Sequence, residues 1–366
     1  MGTVKIGLLQ FFSITLLFEL GTALVVNLGI GSGKDAWLSI LIGDVAGVII
    51  FMGYVYLYKK YPTLPLTGYT RKLLGRYIGQ PVSVLYIVWF INLAARDLRD
   101  GSSMLAISTM HDTPLFILSA VMILSCFYVL HKGVEVLTRT SLVFSGLVLV
   151  IGLFSIMMLL LSGSINLNRL LPVLEEGMRP VLSSVAHQSY MFPFGEMVAF
   201  TMLMPHLSNV RKGPWALIAG MVVAGVLLSL TTAMNISVLG VDIVERSSLP
   251  LMPSISKISI SDFIQRVDIF VVMVLIIGVF FKIAVFFAAA LIGISDVFGI
   301  PYRKMLYPTT LIILFTSMLD ARSFTEHLDE GGKLLYTVYP LFMVLIPLVL
   351  VIVAAIKSHR SAPRPG

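Results

Sequence analysis

Apolar residues occur along this chain in long runs that short polar segments separate. About ten of these runs approach the roughly 20 residues that a helix needs to cross a bilayer. The pattern therefore predicts an all-α polytopic membrane protein. The predicted spans are residues 6–30, 37–58, 82–108, 114–130, 141–161, 181–204, 215–239, 267–292, 305–319 and 336–356.

The composition agrees with this pattern. Of 366 residues, 57% are hydrophobic and only 12% are charged, and the mean hydropathy is +0.96. A soluble domain averages about 25% charged residues. The formal net charge of +7 does not indicate a nucleic-acid partner, because basic residues of membrane proteins collect in cytoplasmic loops. The partner that the composition predicts is the lipid bilayer.

The loops predict an orientation. Loops on the side of the N-terminus hold 15 basic residues against two acids, and the opposite loops hold ten against fourteen. An excess of Lys and Arg marks the cytoplasmic side. Both termini are therefore expected in the cytoplasm, as an even number of spans requires.

Two loops are candidates for structure of their own. Residues 61–80 mix basic and apolar side chains, which is typical either of a short interfacial helix or of a solvated turn. The outer loop 241–266 is expected either to fold over the outer mouth as a lid or to be disordered.

Polar and helix-breaking residues interrupt the sixth span at residues 190–196, Tyr-Met-Phe-Pro-Phe-Gly-Glu. Pro193 removes a backbone donor, and Gly195 lowers helix propensity. A broken helix at membrane depth is tolerated only where protein or a cavity surrounds the freed backbone groups. An ionisable residue at that depth indicates a functional site. We interpret the stretch as one wall of a small-molecule site; the alternative is a proline kink with Glu196 neutral or paired in the core.

The first span is interrupted at a matching position, residues 19–23, Glu-Leu-Gly-Thr-Ala. Interrupted helices at equivalent places in two five-span halves predict a LeuT-like inverted repeat. The halves would be residues 1–162 and 163–358, followed by a disordered cytoplasmic tail at 359–366. A ligand is then expected near the midplane, between the broken first and sixth spans.

Four ionisable residues are recognised within the spans: Glu19, Asp44, Glu196 and Lys282. A charge at the bilayer centre costs at least about 2.5–3.5 kcal/mol, so each needs a partner, a proton or water. Lys282 is expected to pair with a carboxylate, and Glu19 is the nearest candidate. The pair either replaces a bound sodium ion or is purely structural. Asp44 is interpreted as structural.

The ends of the broken spans provide free N–H groups that suit a carboxylate. Glu196 is expected either to hold an ammonium group or, when protonated, to donate a hydrogen bond or carry a proton. Phe192 and Phe194 would gate or line an apolar side-chain pocket, although either one taken alone is better explained by lipid or core packing. A zwitterionic amino acid matches this set. The predicted ligand-binding residues are Gly21, Thr22, Ala23, Tyr190, Phe192, Phe194 and Glu196.

The sequence contains no complete motif of an enzyme or cofactor site. Residues 31–34, Gly-Ser-Gly-Lys, lack the first glycine of a P-loop and fall in an outer loop. The six histidines show no metal-ligand spacing, and no nucleophile lies beside a base. We therefore predict neither enzymatic activity nor a cofactor or metal.

Five short pieces occur in an order and spacing that resemble one known family. They are Thr-Pro at 113–114, Gly-Val-Glu-Val-Leu-Thr-Arg at 133–139, Leu-Pro at 171–172 with Gly177 and Pro180, Pro-Phe-Gly-Glu at 193–196, and Gln-Arg-Val-Asp at 265–268. The chain resembles the B subunits of bacterial spore germinant receptors, the spore-permease branch of the amino acid–polyamine–organocation transporter superfamily. It departs mildly at Asp268, where the family usually has Glu.

This resemblance implies a LeuT-like protein in the inner membrane of a dormant spore, assembled with an A subunit and a lipoprotein C subunit. The implied task is to sense a nutrient germinant, commonly an amino acid, and to trigger ion release. Two alternatives remain. One is a proton-coupled amino acid transporter in which Glu196 or Lys282 titrates, and the other is a scaffold of the receptor that binds no ligand.

Overall fold

A computed structural model describes residues 5–257, 268–320 and 323–361, and within them the chain is almost wholly helical. The α-helices are α1 (Leu8–Leu20), α2 (Ala36–Lys60), α3 (Leu66–Ser108), α4 (Leu115–Lys132), α5 (Val134–Leu161), α6 (Met178–Ser184), α7 (Phe200–Leu203), α8 (Gly213–Leu239), α9 (Val241–Arg246), α10 (Leu251–Ser256), α11 (Asp268–Phe298), α12 (Tyr302–Leu319), α13 (Phe324–Thr337) and α14 (Ile346–Ser361).

Among the described residues, seven helical segments are long and apolar enough to cross a membrane. They contain α2, α3, α4, α5, α8, α11 and α14, which correspond to seven of the predicted spans. The other three predicted spans are the two interrupted ones and the 18-residue helix α12. The polytopic all-α prediction is confirmed, and the total of ten spans stays a prediction.

Both predicted interruptions are present. Helix α1 ends at Leu20, and after Gly21 the chain makes only a 3-10 turn, Thr22–Leu24. In the sixth span α6 ends at Ser184 and a π-helical turn follows, Val185–Ser189. A 3-10 segment, Phe194–Ala199, then leads into α7. Pro193 precedes that segment, so the break occurs where a backbone donor is missing.

Helix α11 lies at the centre of the bundle. Its residues 281–291 are all completely buried, and it packs along α3 and against α1. By contrast, α5 presents apolar side chains such as Val143, Val150 and Leu153 to its surroundings. An exposed apolar face of this kind fits a lipid environment. Lys282 therefore lies on the most enclosed of the membrane-length helices that the structure describes.

Of the two loops that are candidates for structure, residues 61–80 are described throughout and residues 241–266 only as far as residue 257. Residues from Leu66 onward are helical up to a break at Gly75, which has φ 76° and ψ −178°. Leu66, Tyr69 and Leu73 are buried there, so this segment is a packed helix rather than a solvated turn. Helices α9 and α10 occupy the outer loop as far as residue 256. Residues 258–266 of that loop and 362–366 of the predicted tail lie outside the described residues, as do residues 265–267 of the motif at 265–268.

Candidate functional site

A cavity of about 370 Å³ lies between the two broken spans, α3 and the helices α9 and α13 on the predicted outer side. Small-molecule sites typically enclose about 300–1,000 Å³. Three of the predicted ligand-binding residues line it: Thr22, Phe192 and Glu196. The cavity therefore lies where the sequence predicted a site, between the first and sixth spans.

A buried lysine, Lys282, lies behind the lining of this cavity and contacts several of the lining residues. The Lys282 ammonium lies 2.7 Å from Glu196 Oε2 and 3.7 Å from Asp97 Oδ1. It also donates to Thr22 Oγ1 at 3.3 Å and sits 4.1 Å from the centre of the Phe192 ring. Buried charges persist only when they are paired and hydrogen-bonded. We call Lys282, Glu196 and Asp97 the floor cluster.

The expected partner of Lys282 was wrong. Glu196 forms the ion pair, whereas Glu19 is fully buried and neither of its oxygens has a hydrogen-bond partner among the described residues. The physical reason is the path of the chain after α1, because the break presents the Thr22 hydroxyl to the ammonium group. Asp44, interpreted as structural, packs against α8, where a Cβ on Gly225 would lie 2.5 Å from its Oδ2.

Two glycines bring the broken first span directly against α11. A Cβ on Gly278 would lie 2.9 Å from the Gly21 Cα, and a Cβ on Gly21 would lie 2.9 Å from the Lys282 Cδ. Neither position has room for a larger residue unless the backbone moves. Gly21 therefore lies behind Thr22, outside the cavity lining, and lets Thr22 reach Lys282.

The remaining predicted ligand-binding residues lie outside this cavity. Ala23 is buried in the core, and Tyr190 is half-buried and packs against the core. Phe194 is buried against α2, where a Cβ on Gly47 would lie 2.4 Å from the Phe194 Cβ. A tight break turns successive side chains in different directions, so neighbours in sequence do not share one wall.

Sequence reasoning missed a group of charges on α3. Arg96, Asp97 and Arg99 are buried within this helix, and Asp100 follows one position later. The charge count of the opposite loops includes these four residues, although the predicted third span contains them. Two Arg-Asp pairs three residues apart within an apolar span were an available signal. The predicted orientation is unaffected, because two basic and two acidic residues leave the outer-loop count together.

Further out, a second set of charges holds α13 against α3. Arg96 Nη1 lies 3.1 and 3.0 Å from the two carboxylate oxygens of Asp320, and Nη2 donates to the His327 carbonyl at 2.9 Å. The His327 ring lies against two carboxylates, with Nε2 2.9 Å from Asp100 Oδ1 and Nδ1 beside Asp320. Only the doubly protonated ring can donate to both. We call Arg96, Asp100, Asp320 and His327 the outer network.

A partly buried side-chain amide, that of Gln188, joins the two broken spans. Gln188 Oε1 accepts from the Gly29 N–H at 3.2 Å, and its Nε2 donates to the Asn27 carbonyl at 3.4 Å. Asn27 in turn donates its side-chain amide to the Ser247 carbonyl, just after α9. Backbone groups that a broken helix frees at membrane depth need such partners. The described part of the outer loop therefore contributes to the outer end of the cavity.

Two interrupted spans around a charged central cavity define a class of membrane protein, the LeuT-like fold. The fold is similar to that of Mhp1, a nucleobase-cation-symport-1 family transporter, with a TM-score of 0.68 and 11% identity, covering 97% of this chain and 92% of that one. It is also similar to MhsT in complex with L-phenylalanine, with a TM-score of 0.64 and 13% identity, covering 93% and 87%. At such identities the likeness shows the fold alone.

The chain belongs to the spore germination protein family of spore permeases, whose family model matches residues 5–325. It is 37% identical to spore germination protein KB of Bacillus subtilis (strain 168), over 100% of this chain and 99% of that protein. It is 24% identical to spore germination protein XB of Bacillus anthracis, over 76% and 78%. The predicted family is confirmed, and the protein is a multi-pass, permease-like membrane protein.

Proposed function

We propose that this protein is the nutrient-sensing membrane subunit of a spore germinant receptor and binds a small amino-acid-like ligand between its first and sixth spans. The observation that carries the proposal is the cavity of about 370 Å³ whose lining includes Glu196, the ion-pair partner of the buried Lys282. Family membership supports the role in germination. A fold neighbour, MhsT, holds L-phenylalanine in its solved structure, so this architecture accommodates an amino acid.

The chemistry of the cavity suits a small polar ligand with an apolar part. Carboxylate, hydroxyl and amide groups line its depth, while Leu93, Phe192 and Leu335 supply apolar wall. Pockets with a few convergent polar groups among apolar side chains are typical of small-molecule sites. An amino acid presents both kinds of surface within one small molecule.

Signalling requires that the ligand bind one conformation more tightly than another. We place the conformational change in the two broken spans, which Gln188 and Asn27 join through hydrogen bonds. In the proposed receptor, an A subunit and a lipoprotein C subunit in the spore inner membrane detect the change. Both termini would face the spore core.

A second candidate function is proton-coupled amino acid transport. The observation that favours it is Lys282, which is completely buried between two carboxylates. Ionisable residues enclosed in this way often form proton relays in membrane transporters. Uptake of radiolabelled ligand into liposomes that contain the purified protein separates the two functions, because a sensor binds without accumulating ligand.

The test of the proposed function is the thermal unfolding midpoint of the detergent-solubilised protein in the presence of L-amino acids, D-amino acids and sugars. A ligand that binds the native state raises this midpoint, because it adds about 2.7 kcal/mol to the free energy of unfolding when its concentration is one hundred times its Kd. We expect a stereospecific rise that Glu196→Gln abolishes. The matched control is Glu135→Gln, which removes a partly exposed partner of Arg139 far along the chain from the site.

Absence of a shift with every compound, in protein that is shown to be folded, would contradict ligand binding by this subunit. Retained assembly with the A and C subunits would then favour the scaffold alternative.

A further inference from the structure

The carboxylates at the cavity are not equally paired. Glu196 lies 2.7 Å from the Lys282 ammonium, and Asp100 lies 2.9 Å from the His327 ring. Glu245, at the outer end, is exposed. Asp97 differs from all three, because it is buried and its nearest cation, Lys282, is 3.7 Å away. That distance is an ion pair but exceeds the range of a hydrogen bond.

Asp97 also has free hydrogen-bonding capacity. It lines the cavity with 6% of its surface exposed, and no residue in the described part of the chain donates a hydrogen bond to it. An ionised carboxylate offers about four acceptor sites. A buried polar group left without partners is unfavourable. The Asp97 carboxylate therefore needs donors that come from the cavity itself.

The two buried cations beside the cavity, Arg96 and Lys282, are already engaged, whereas Arg246 in its lining is exposed. The terminal nitrogens of Arg96 contact Asp320 and the His327 carbonyl, and Lys282 contacts Glu196 and Thr22. Among the buried charged side chains at the cavity, the unused capacity belongs to an acceptor, Asp97. Asn27 Oδ1, in the same cavity lining, is buried without a donor among the described residues. A ligand that completes this site brings hydrogen-bond donors rather than acceptors.

We propose that Asp97 binds an ammonium group of the ligand. The receptor then selects amino acids over carboxylic acids without an amino group and over sugars. The inference rests on the proposed ligand site and deepens it, by moving the role of ammonium ligand from Glu196 to Asp97. An ammonium group carries three donors and a positive charge, so it satisfies Asp97 more fully than Lys282 does at 3.7 Å.

The first test needs no variant. The thermal midpoint of the wild-type protein is measured with each L-amino acid and with the matching 2-hydroxy acid, in which a hydroxyl group replaces the amine. Charge-assisted hydrogen bonds are strong enough that losing one weakens binding by about 10- to 100-fold. We expect that the amino acid which raises the midpoint has a 2-hydroxy counterpart with a Kd at least about tenfold higher.

The second test substitutes the residue. Asp97→Asn is expected to raise the Kd of that amino acid by about 10- to 100-fold and to leave the weak binding of the 2-hydroxy acid almost unchanged. Asp112→Asn, an exposed carboxylate just beyond α3, is the matched control and should leave both affinities unaltered. If Asp97→Asn does not fold, the wild-type comparison still decides.

The outcomes separate this inference from the proposed function. Equal binding of an amino acid and its 2-hydroxy acid, or a midpoint raised by a sugar alone, would overturn the role of Asp97 while leaving a ligand site in place. Equal affinities in folded Asp97→Asn and wild-type protein would do the same. No binding of any compound would contradict the proposed function itself.

Discussion

The floor cluster and the outer network are two sets of ion pairs beside one cavity. Adjacent residues of α3 take part in them: Asp97 belongs to the floor cluster and Arg96 to the outer network. The floor cluster joins elements of the buried core, and Lys282 has no exposed surface. The outer network attaches a surface helix, α13, whose His327 alone is buried among its residues. Similar chemistry thus has different consequences, because breaking the floor strands a charge in the core, whereas breaking the network releases a helix.

The largest expected effect follows from Lys282→Met, which leaves Glu196 and Asp97 buried without their cation. Removing one partner of a buried pair typically costs about 3–5 kcal/mol. We expect a loss of that size in the free energy of unfolding, measured by denaturant titration in detergent. Adding Glu196→Gln should recover part of it. A Lys282→Met protein as stable as wild type would show that the floor cluster does not hold the core together.

A smaller effect is expected from Gly278→Ala, which tests the packing behind the floor cluster. The added Cβ would lie 2.9 Å from the Gly21 Cα, and overpacking of this kind costs about 1–3 kcal/mol. Gly146→Ala on α5 is the matched control, because no atom lies within 4 Å of its Cβ. Helix propensity predicts a neutral or slightly stabilising change there. Equal effects at both glycines would contradict the close contact.

The outer network should respond locally rather than globally. His327→Gln removes the charged ring between Asp100 and Asp320 and is expected to speed amide hydrogen exchange in residues 324–337 by about tenfold. Exchange in α11 should stay unchanged. Asp329→Asn, an exposed carboxylate on the same helix, serves as the control. Faster exchange throughout α11 would remove the distinction between the two sets of charges.

The smallest stability effect is expected at Gln188, which lines the same cavity. Gln188→Glu keeps an acceptor for the Gly29 N–H but loses the donor to the Asn27 carbonyl. One hydrogen bond contributes about 0.5–1.5 kcal/mol net, so the unfolding midpoint should fall slightly. If the amide joins the moving parts of the site, ligand affinity should change more than stability does. An unchanged affinity would limit Gln188 to a local role.

Much of the fold was predictable from the sequence, because length and hydropathy decide which runs can cross a bilayer. The two breaks were also predictable, since Pro193, Gly195 and a carboxylate interrupt an otherwise apolar run. These signals are local, and each depends on residues that are close together in the chain.

The details of the site depend on contacts between distant residues, which the sequence does not reveal. The partner of Lys282 is set by how the first span turns at Gly21 and packs on Gly278. Phe194 and Phe192 are two positions apart, yet only Phe192 reaches the cavity. Asp97 escaped notice because neighbouring Arg and Asp residues look like a polar loop, whereas their helix is buried on the face that lines the cavity.

The central claim is that ligand binds between the broken spans, and cysteine protection tests it most directly. The chain has one cysteine, Cys126, which is buried. A Val26→Cys variant places a thiol in the cavity lining, and Asp112→Cys places one outside it. We predict that a saturating amino acid ligand slows alkylation of the first thiol by at least about tenfold and leaves the second unchanged. Equal alkylation of Val26→Cys with and without bound ligand would contradict the location of the site.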